Sequence, residues 1–432
     1  MVSITRRYGL WTGTIGGLGL IVLLTGLSFG LQSPIKPESC PAGPTAAKHQ
    51  SKLWFNDGTW WGILFDGSSE EYHIYRYDRA KDAWSDTGTL IDGRNTSRAD
   101  VLWDEPHLYV ATAGTEASLE RDSARFLRYT YDPSSERYSL DKGFPVTITE
   151  GGMEAISIAR DTTGMFWATY TQGADLRKVY VTHSSDSDDS RWVEPFVPPL
   201  RGTTVTSDDV SGVVAFGSQI GLMWGSQHDE EPGLAGYHFA IHNDGDPDDA
   251  WRSDNPVLEL GMANDHLNLK ADSEGRIFAA TKTRRDRTNR DLDAPYGVLW
   301  VRDPDGTWTS HVYSKVKDYY TRSLVLIDEE QRLLYIFGTS PTCWGGKIYY
   351  KTTALDDISF EKGRGTLFMQ GADGATIGDA TSTKQNLGDL PGDVGPMVVA
   401  SNPTGDYYYN ALDPRNQEKM FPDGARIPQA GW

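Results

Sequence analysis

From His49 onward, apolar and polar positions alternate in short runs. That is the period of a half-buried strand, and no convincing amphipathic helix interrupts it. One unit recurs. A short apolar strand reaches a polar turn and a second apolar strand follows. A third strand of alternating aromatics ends in Asp, and an aromatic residue opens a fourth. The first unit reads Lys52 to Phe55, turn Asn56-Asp57-Gly58, Trp60 to Leu64, Tyr72 to Asp78, then Trp84. Later units open on Val101 to Trp103, Ile156 to Ala159, Val213 to Phe216, Leu267 to Leu269 and Leu324 to Ile327. Their first turns fall at Asp57, Asp104, Asp161, Ser218, Asp272 and Asp328. The spacing, roughly 50 to 57 residues, is that of a four-stranded propeller repeat.

A seventh, shorter unit follows, with Thr383 to Leu387, Met397 to Ala400 and Tyr407 to Leu412 as its first three strands. Its fourth strand is either missing or supplied by the N-terminal linker. The pattern therefore predicts an all-β, seven-bladed β-propeller over residues 49–412, with six blades plus a partial one as the alternative. A tail of residues 413–432 follows. A lone four-stranded unit cannot bury both faces, whereas a ring buries each blade against its neighbours.

The N-terminus breaks the alternation. Arg6 and Arg7 precede an uncharged run from Tyr8 to Ile35 whose apolar heart is Leu10 to Leu31. That run can span a hydrocarbon core of ~30 Å. The arginines stay inside, so the bulk of the chain goes outside. Residues 1–35 read as a transmembrane signal anchor, or as a signal peptide that would leave the protein secreted. The proline-rich stretch 36–48 reads as a linker. The expected location is the cell membrane, single-pass, with the propeller outside the cytoplasm.

Composition narrows the partners. The 432 residues include 45 Gly, 14 Trp and 21 Tyr, a strand-and-turn usage. A formal charge of −19 repels phosphate backbones, so nucleic acid is not an expected partner. Membrane contact is expected through the N-terminal helix alone, and the chain reads as a monomer. Cys40 and Cys343 either pair as a disulfide or stay as two thiols. There is no P-loop, no His-Glu-x-x-His and no Cys-x-x-Cys. Asp244 to Asp249 offers carboxylates to a structural calcium but lacks the EF-hand spacing. No other cofactor is expected.

Asp303-Pro304-Asp305-Gly306-Thr307-Trp308 resembles the Asp-box of sialidase-like (BNR-type) propellers, Ser-x-Asp-x-Gly-x-Thr-Trp. Val301 stands where the leading Ser would be, and the Gly is displaced by one position. Asp246 to Trp251, Ser184 to Trp192 and Asp78 to Trp84 are looser versions. The resemblance implies a structural turn between outer strands, away from any active site. Sialidases use three arginines, an acid/base Asp and a Tyr-Glu pair. Arg98, Arg322, Tyr319, Tyr320 and Glu154 offer pieces of that set, but the family's early Arg-Ile-Pro is absent and the order does not map.

The remaining signal is polar. In a propeller, residues at the start of each innermost strand face the central funnel. Here they are His49, Gln50 and Lys52; Arg98 and Asp100; Glu154; Asp208 and Asp209; Asn264 to His266, Asn268 and Lys270; Tyr320 and Arg322; and Thr383 to Asn386. Converging charges cost desolvation unless they pair or meet a ligand. His266, Tyr320 and Glu154 are the candidates for proton transfer or nucleophilic work. His49, Lys52, Arg98, Asp100, Asp209, Asn268, Lys270, Arg322, Lys384 and Gln385 are the candidates for substrate binding. Arg and Lys suit a carboxylate or sulfate, so the expected ligand is an anionic glycan or small molecule. His with Tyr and Arg suits β-elimination from a uronate, and paired carboxylates suit glycoside hydrolysis. The residues leave both open, beside a non-catalytic scaffold for protein partners at the cell surface.

Overall fold

The computed structural model describes residues 43–45 and 49–427, apart from 115–122, 174–175, 186–187, 229–232, 289–290 and 342–345. The expected anchor and both cysteines lie outside the described residues. Among the described residues, no helix is long and apolar enough to cross a membrane.

The strands form seven antiparallel sheets, each running in chain order from an inner to an outer strand. The molecule is a seven-bladed propeller. Its inner strands are Leu53–Asn56, Arg98–Asp104, Ile156–Arg160, Ser211–Phe216, Leu267–Ala271, Thr321–Asp328 and Gly378–Thr381. In blades 2 and 3 a second short piece, Val146–Glu150 and Thr204–Val205, extends the outer edge by pairing with the third strand.

Local chemistry explains the turns. Asp57 and Gly58 both take positive φ (49° and 73°), which a two-residue hairpin between right-twisted strands requires. The Asp161 carboxylate accepts hydrogen bonds from Thr163 N and Met165 N, both at 2.9 Å, and from the Trp167 indole at 2.9 Å. One side chain thus closes the turn and ties it to the next strand. Asp303 to Trp308 forms the turn between the third and outer strands of blade 5. There Asp305 accepts from Thr307 N at 2.8 Å.

The core lies between blades. Trp54, Trp61 and Ile74 of blade 1 pack on Val101, Leu108 and Tyr129 of blade 2. Comparable clusters join blades 2 and 3, 3 and 4, 4 and 5, and 5 and 6. One further cluster joins blades 6, 7 and 1 and so closes the ring. Each fully buried aliphatic or aromatic side chain contributes ~1.5–3 kcal/mol.

The seventh blade differs from its expected outline. Its inner strand is Gly378–Thr381, not Thr383 to Leu387. Leu387–Asp389 is a 3-10 turn. The blade is complete, because Ala425–Ile427 pairs with Tyr407–Tyr409 as its outer strand. The propeller therefore extends through the segment read as a tail. The N-terminal linker does not supply that strand. Its Thr45 is buried against the blade, with its amide on Ser401 Oγ at 3.0 Å.

Candidate functional site

The inner strands should surround an open channel, but two segments fill it. His49 to Lys52 leave blade 1 and cross the axis. The Ser51 carbonyl accepts from Val101 N of blade 2 at 3.0 Å. Gln50 Nε2 donates to the Ile156 carbonyl of blade 3 at 3.0 Å. The His49 carbonyl accepts from Asn268 Nδ2 of blade 5 at 3.3 Å. Thr381 of blade 7 donates its hydroxyl to the Gln50 carbonyl at 3.2 Å. Three consecutive residues, His49 to Ser51, thus touch four blades.

The second segment continues from the inner strand of blade 7. Residues 382–396 separate its first two strands, where the other blades turn in two to five residues. Thr383 pairs in parallel with Leu53. The Ser382 carbonyl accepts from Lys52 N and Leu53 N, both at 3.1 Å. The Gln385 amide mimics a backbone unit, accepting from Phe55 N at 2.7 Å and donating to Phe55 O at 3.1 Å. Asn386 donates to the Ala271 carbonyl at 3.2 Å and to Glu329 at 2.6 Å.

Asp100 is the hub of this plug and is fully buried. Its carboxylate accepts from Ser51 N at 2.8 Å and Ile158 N at 2.9 Å. It also pairs with Lys384 Nζ at 2.5 Å. Lys384 reaches the Ile158 carbonyl as well. Lys270 donates to the Thr383 carbonyl, and Lys52 to the Ala99 carbonyl at 3.0 Å. Burial pulls the pKa of both Lys52 and Lys270 down to about 7, helped by Arg98 near the first and Lys384 near the second.

The structure therefore brings seven of the expected binding residues together at the axis: His49, Lys52, Asp100, Asn268, Lys270, Lys384 and Gln385. They form the plug and its seat rather than the walls of an open funnel. Two further binding candidates, Arg98 and Asp209, and two of the proton-transfer or nucleophile candidates, Glu154 and His266, stand where the inner strands start, each with local partners. Arg98 donates to the Glu154 carbonyl at 3.1 Å, and the Glu154 carboxylate lies 3.7 Å from Arg177. Asp209 accepts from Thr206 N at 2.8 Å and Gln227 Nε2 at 2.9 Å, while burial raises its pKa. His266 Nδ1 sits 2.6 Å from Asp265 and 3.1 Å from the Asn264 side chain. Arg322 pairs with Asp379 at 2.7 Å. Tyr320 is not brought to the channel. It is buried between blades 5 and 6, with its hydroxyl on the carbonyls of Ile336 and Tyr349.

The open space lies at the other mouth. Where the inner strands end, a cavity of about 740 Å³ opens beneath the plug. Lys270, Lys384, Gln385 and Asn386 line it, with Arg160, Asp104 and Thr162 from the turns of blades 2 and 3. The Lys384 side chain is 25% exposed, and Arg160 pairs with Asp104 at the rim. Reading only strand starts missed Arg160, Asp104 and Thr162. The signal that points to this mouth is the length of the 382–396 segment.

Among the described residues, no group of three metal ligands gathers at the axis. Elsewhere, Asp66, His73 and Asp86 bring ligand atoms within 4.8 Å of one another on blade 1. The ring already faces carboxylates, Asp86 at 2.8 Å and Glu71 at 3.4 Å. Burial opposes its charge, but these contacts outweigh it and raise its pKa. The Asp244 to Asp249 turn bonds internally and to neighbours: Asp244 accepts from Thr162 N at 3.0 Å, and Asp248 faces His183 at 3.0 Å.

No family model matches the chain, and no curated protein matches its sequence. Solved structures do resemble it. An ulvan lyase, a polysaccharide lyase solved bound to -[GlcA(1-4)Rha3S]-, is 12% identical with a TM-score of 0.53, covering 87% of this chain and 95% of that one. The periplasmic gluconolactonase PpgL of Pseudomonas aeruginosa is 13% identical with a TM-score of 0.53, covering 85% and 98%. At these identities the likeness is one of fold.

Proposed function

We propose that this propeller binds an anionic carbohydrate in the cavity where its inner strands end. The observation that carries the reading is the placement of Lys384. In a chain of net charge −19, the long blade 7 segment sets a partly exposed ammonium into a polar cavity of about 740 Å³. That volume falls in the range of small-ligand sites, ~300–1,000 Å³. Arg160 adds a guanidinium at the rim, suited to a carboxylate or sulfate. Gln385, Asn386 and Thr162 offer amides and a hydroxyl for sugar hydroxyls. The names printed for the two similar folds, an oligosaccharide of GlcA and Rha3S and a gluconolactonase, support a carbohydrate, and the first supports an anionic one. We also place the domain outside the cytoplasm, tethered by the apolar N-terminal run, where polysaccharide is met.

A glycan array followed by calorimetry on the full chain tests the reading. Uronate-containing or sulfated oligosaccharides should bind, and added salt should weaken binding. Ala215 lines the cavity and is half-buried, so Ala215→Trp should fill it. That variant should lose binding at least about tenfold, or 1.4 kcal/mol, with an unchanged circular dichroism spectrum. Product analysis separates the chemistries. An unsaturated uronate marks elimination, and new reducing ends without it mark hydrolysis. An array with no anionic-glycan signal would sink the proposal and leave the surface-scaffold role.

A further inference from the structure

Lys270 sits near the end of the blade 5 inner strand and is 5% exposed, yet it lines the cavity. Its Nζ donates to the Thr383 carbonyl, and it makes no ion pair among the described residues. The nearest charges do not rescue an ammonium there. Lys384 repels it, and the Asp100 carboxylate is already engaged by Lys384, Ser51 N and Ile158 N. The other titratable groups lining the cavity are His49, the Arg160–Asp104 pair, Asp389, and Asp161, whose carboxylate is taken up by Thr163 N, Met165 N and the Trp167 indole. A buried ammonium without a counter-charge gives up its proton to become a neutral amine.

We infer that Lys270 is a nucleophilic amine that captures carbonyl compounds entering the cavity, the open-chain aldehyde of an acidic sugar being the class that fits. The choice of an acidic sugar rests on the carbohydrate reading above; the reactivity of the amine does not. The lowering of its pKa to about 7 agrees with this. At neutral pH a large share of Lys270 is free amine, against roughly one in a few thousand for an ordinary lysine. A neutral amine that gives one N–H to Thr383 keeps its lone pair for a ligand. That pair forms the new C–N bond to the aldehyde carbon while the C=O π electrons move to oxygen. The carbinolamine then loses that oxygen as water, which carries away both amine hydrogens and leaves a C=N bond. No oxidant or reductant is needed. Lys384 and Arg160 stand on the same cavity to meet the sugar's carboxylate.

Lys52 supplies an internal control. It is equally buried, at 2% exposed, and its pKa is also pulled down to about 7, but it does not line the cavity. The test treats the full chain at neutral pH with cyanoborohydride, which reduces C=N bonds. Two probes are used separately: glycolaldehyde, a small neutral aldehyde, and glucuronate, an acidic aldose. Peptide mass spectrometry then counts adducts at each lysine. Lys270 should carry adduct roughly tenfold or more above Lys52 and the exposed Lys142 and Lys178. Lys270→Arg, checked for an unchanged melting curve, should remove that adduct alone. If Lys270 reacts no faster than the exposed lysines, the inference is overturned. Equal labelling of Lys52 also overturns it, because labelling then runs through opening of the plug. Enrichment with glycolaldehyde but not glucuronate upholds the amine and counts against the carbohydrate reading. Calorimetric binding of glucuronate without adduct at Lys270 does the reverse.

Discussion

Asp100 shows what a single side chain does here. It is buried with no exposed surface, accepts two backbone amides from different segments and holds one ammonium. Removing one partner of such a pair leaves an uncompensated charge, and the cost is largest where water cannot reach. Asp100→Asn keeps the shape but not the charge. Because Lys384 is partly solvated, the expected loss is about 3 kcal/mol, read from urea denaturation. Asp100→Asn with Lys384→Met should recover part of that loss, since the two act as one unit. A double mutant that is simply additive would mean the pair carries no coupling. The residue types at this hub were visible in the sequence, since Asp100, Lys270 and Lys384 all stand out as polar beside apolar strands. Their partners were not. A hydrogen bond from Ser51 or Ile158 to Asp100 depends on a chain crossing that no local period encodes.

At the scale of elements, period-2 alternation located the inner strands of six blades closely. It failed in the seventh for a physical reason. Thr383 makes a single parallel bridge to Leu53, so the segment has the look of a strand. Its polar residues Thr383 to Asn386 form no apolar face of their own, and only Leu387, already in the 3-10 turn, packs into the core. The outer strand Ala425–Ile427 was missed because three residues carry too little alternation to be read. Ile427 nonetheless has no exposed surface and belongs to the cluster that closes the ring. Ile427→Ala should therefore destabilise the fold by ~2–4 kcal/mol, measured by thermal or urea unfolding. A loose tail would show no change. The candidate cavity was hidden for a related reason. Arg160 and Asp104 stand at strand ends, where the sequence shows only ordinary polar turns.

For the whole molecule, the plug makes global stability depend on pH in an uncommon direction. Lys52 and Lys270 titrate near pH 7 when folded and near 10.5 when unfolded. Below pH 7 both states hold the protons and the burial penalty is fully felt. Between 7 and 10.5 the folded state releases its protons first, so the unfolded state binds more. Unfolding free energy then rises with pH across that window. Calorimetric midpoints should climb between about pH 7 and 9, below the range near 10 where tyrosines exposed by unfolding ionise. Lys52→Met should flatten the climb. A midpoint that stays level in the unsubstituted protein would show that these ammonium groups find water or a counter-charge.

The pairing of Phe55 with Gln385 spans 330 positions of sequence. A ribosome adds roughly 5–20 residues per second, so the first half of that pair waits on the order of half a minute for the second. Until then the leading blade has no cap, its lysine is wet, and the ring stays open on one side. Such distant pairing slows folding, since the loop must close before the contact rewards it. The channel can thus be sealed only when synthesis is nearly complete, and a prematurely terminated product lacks the means to seal it.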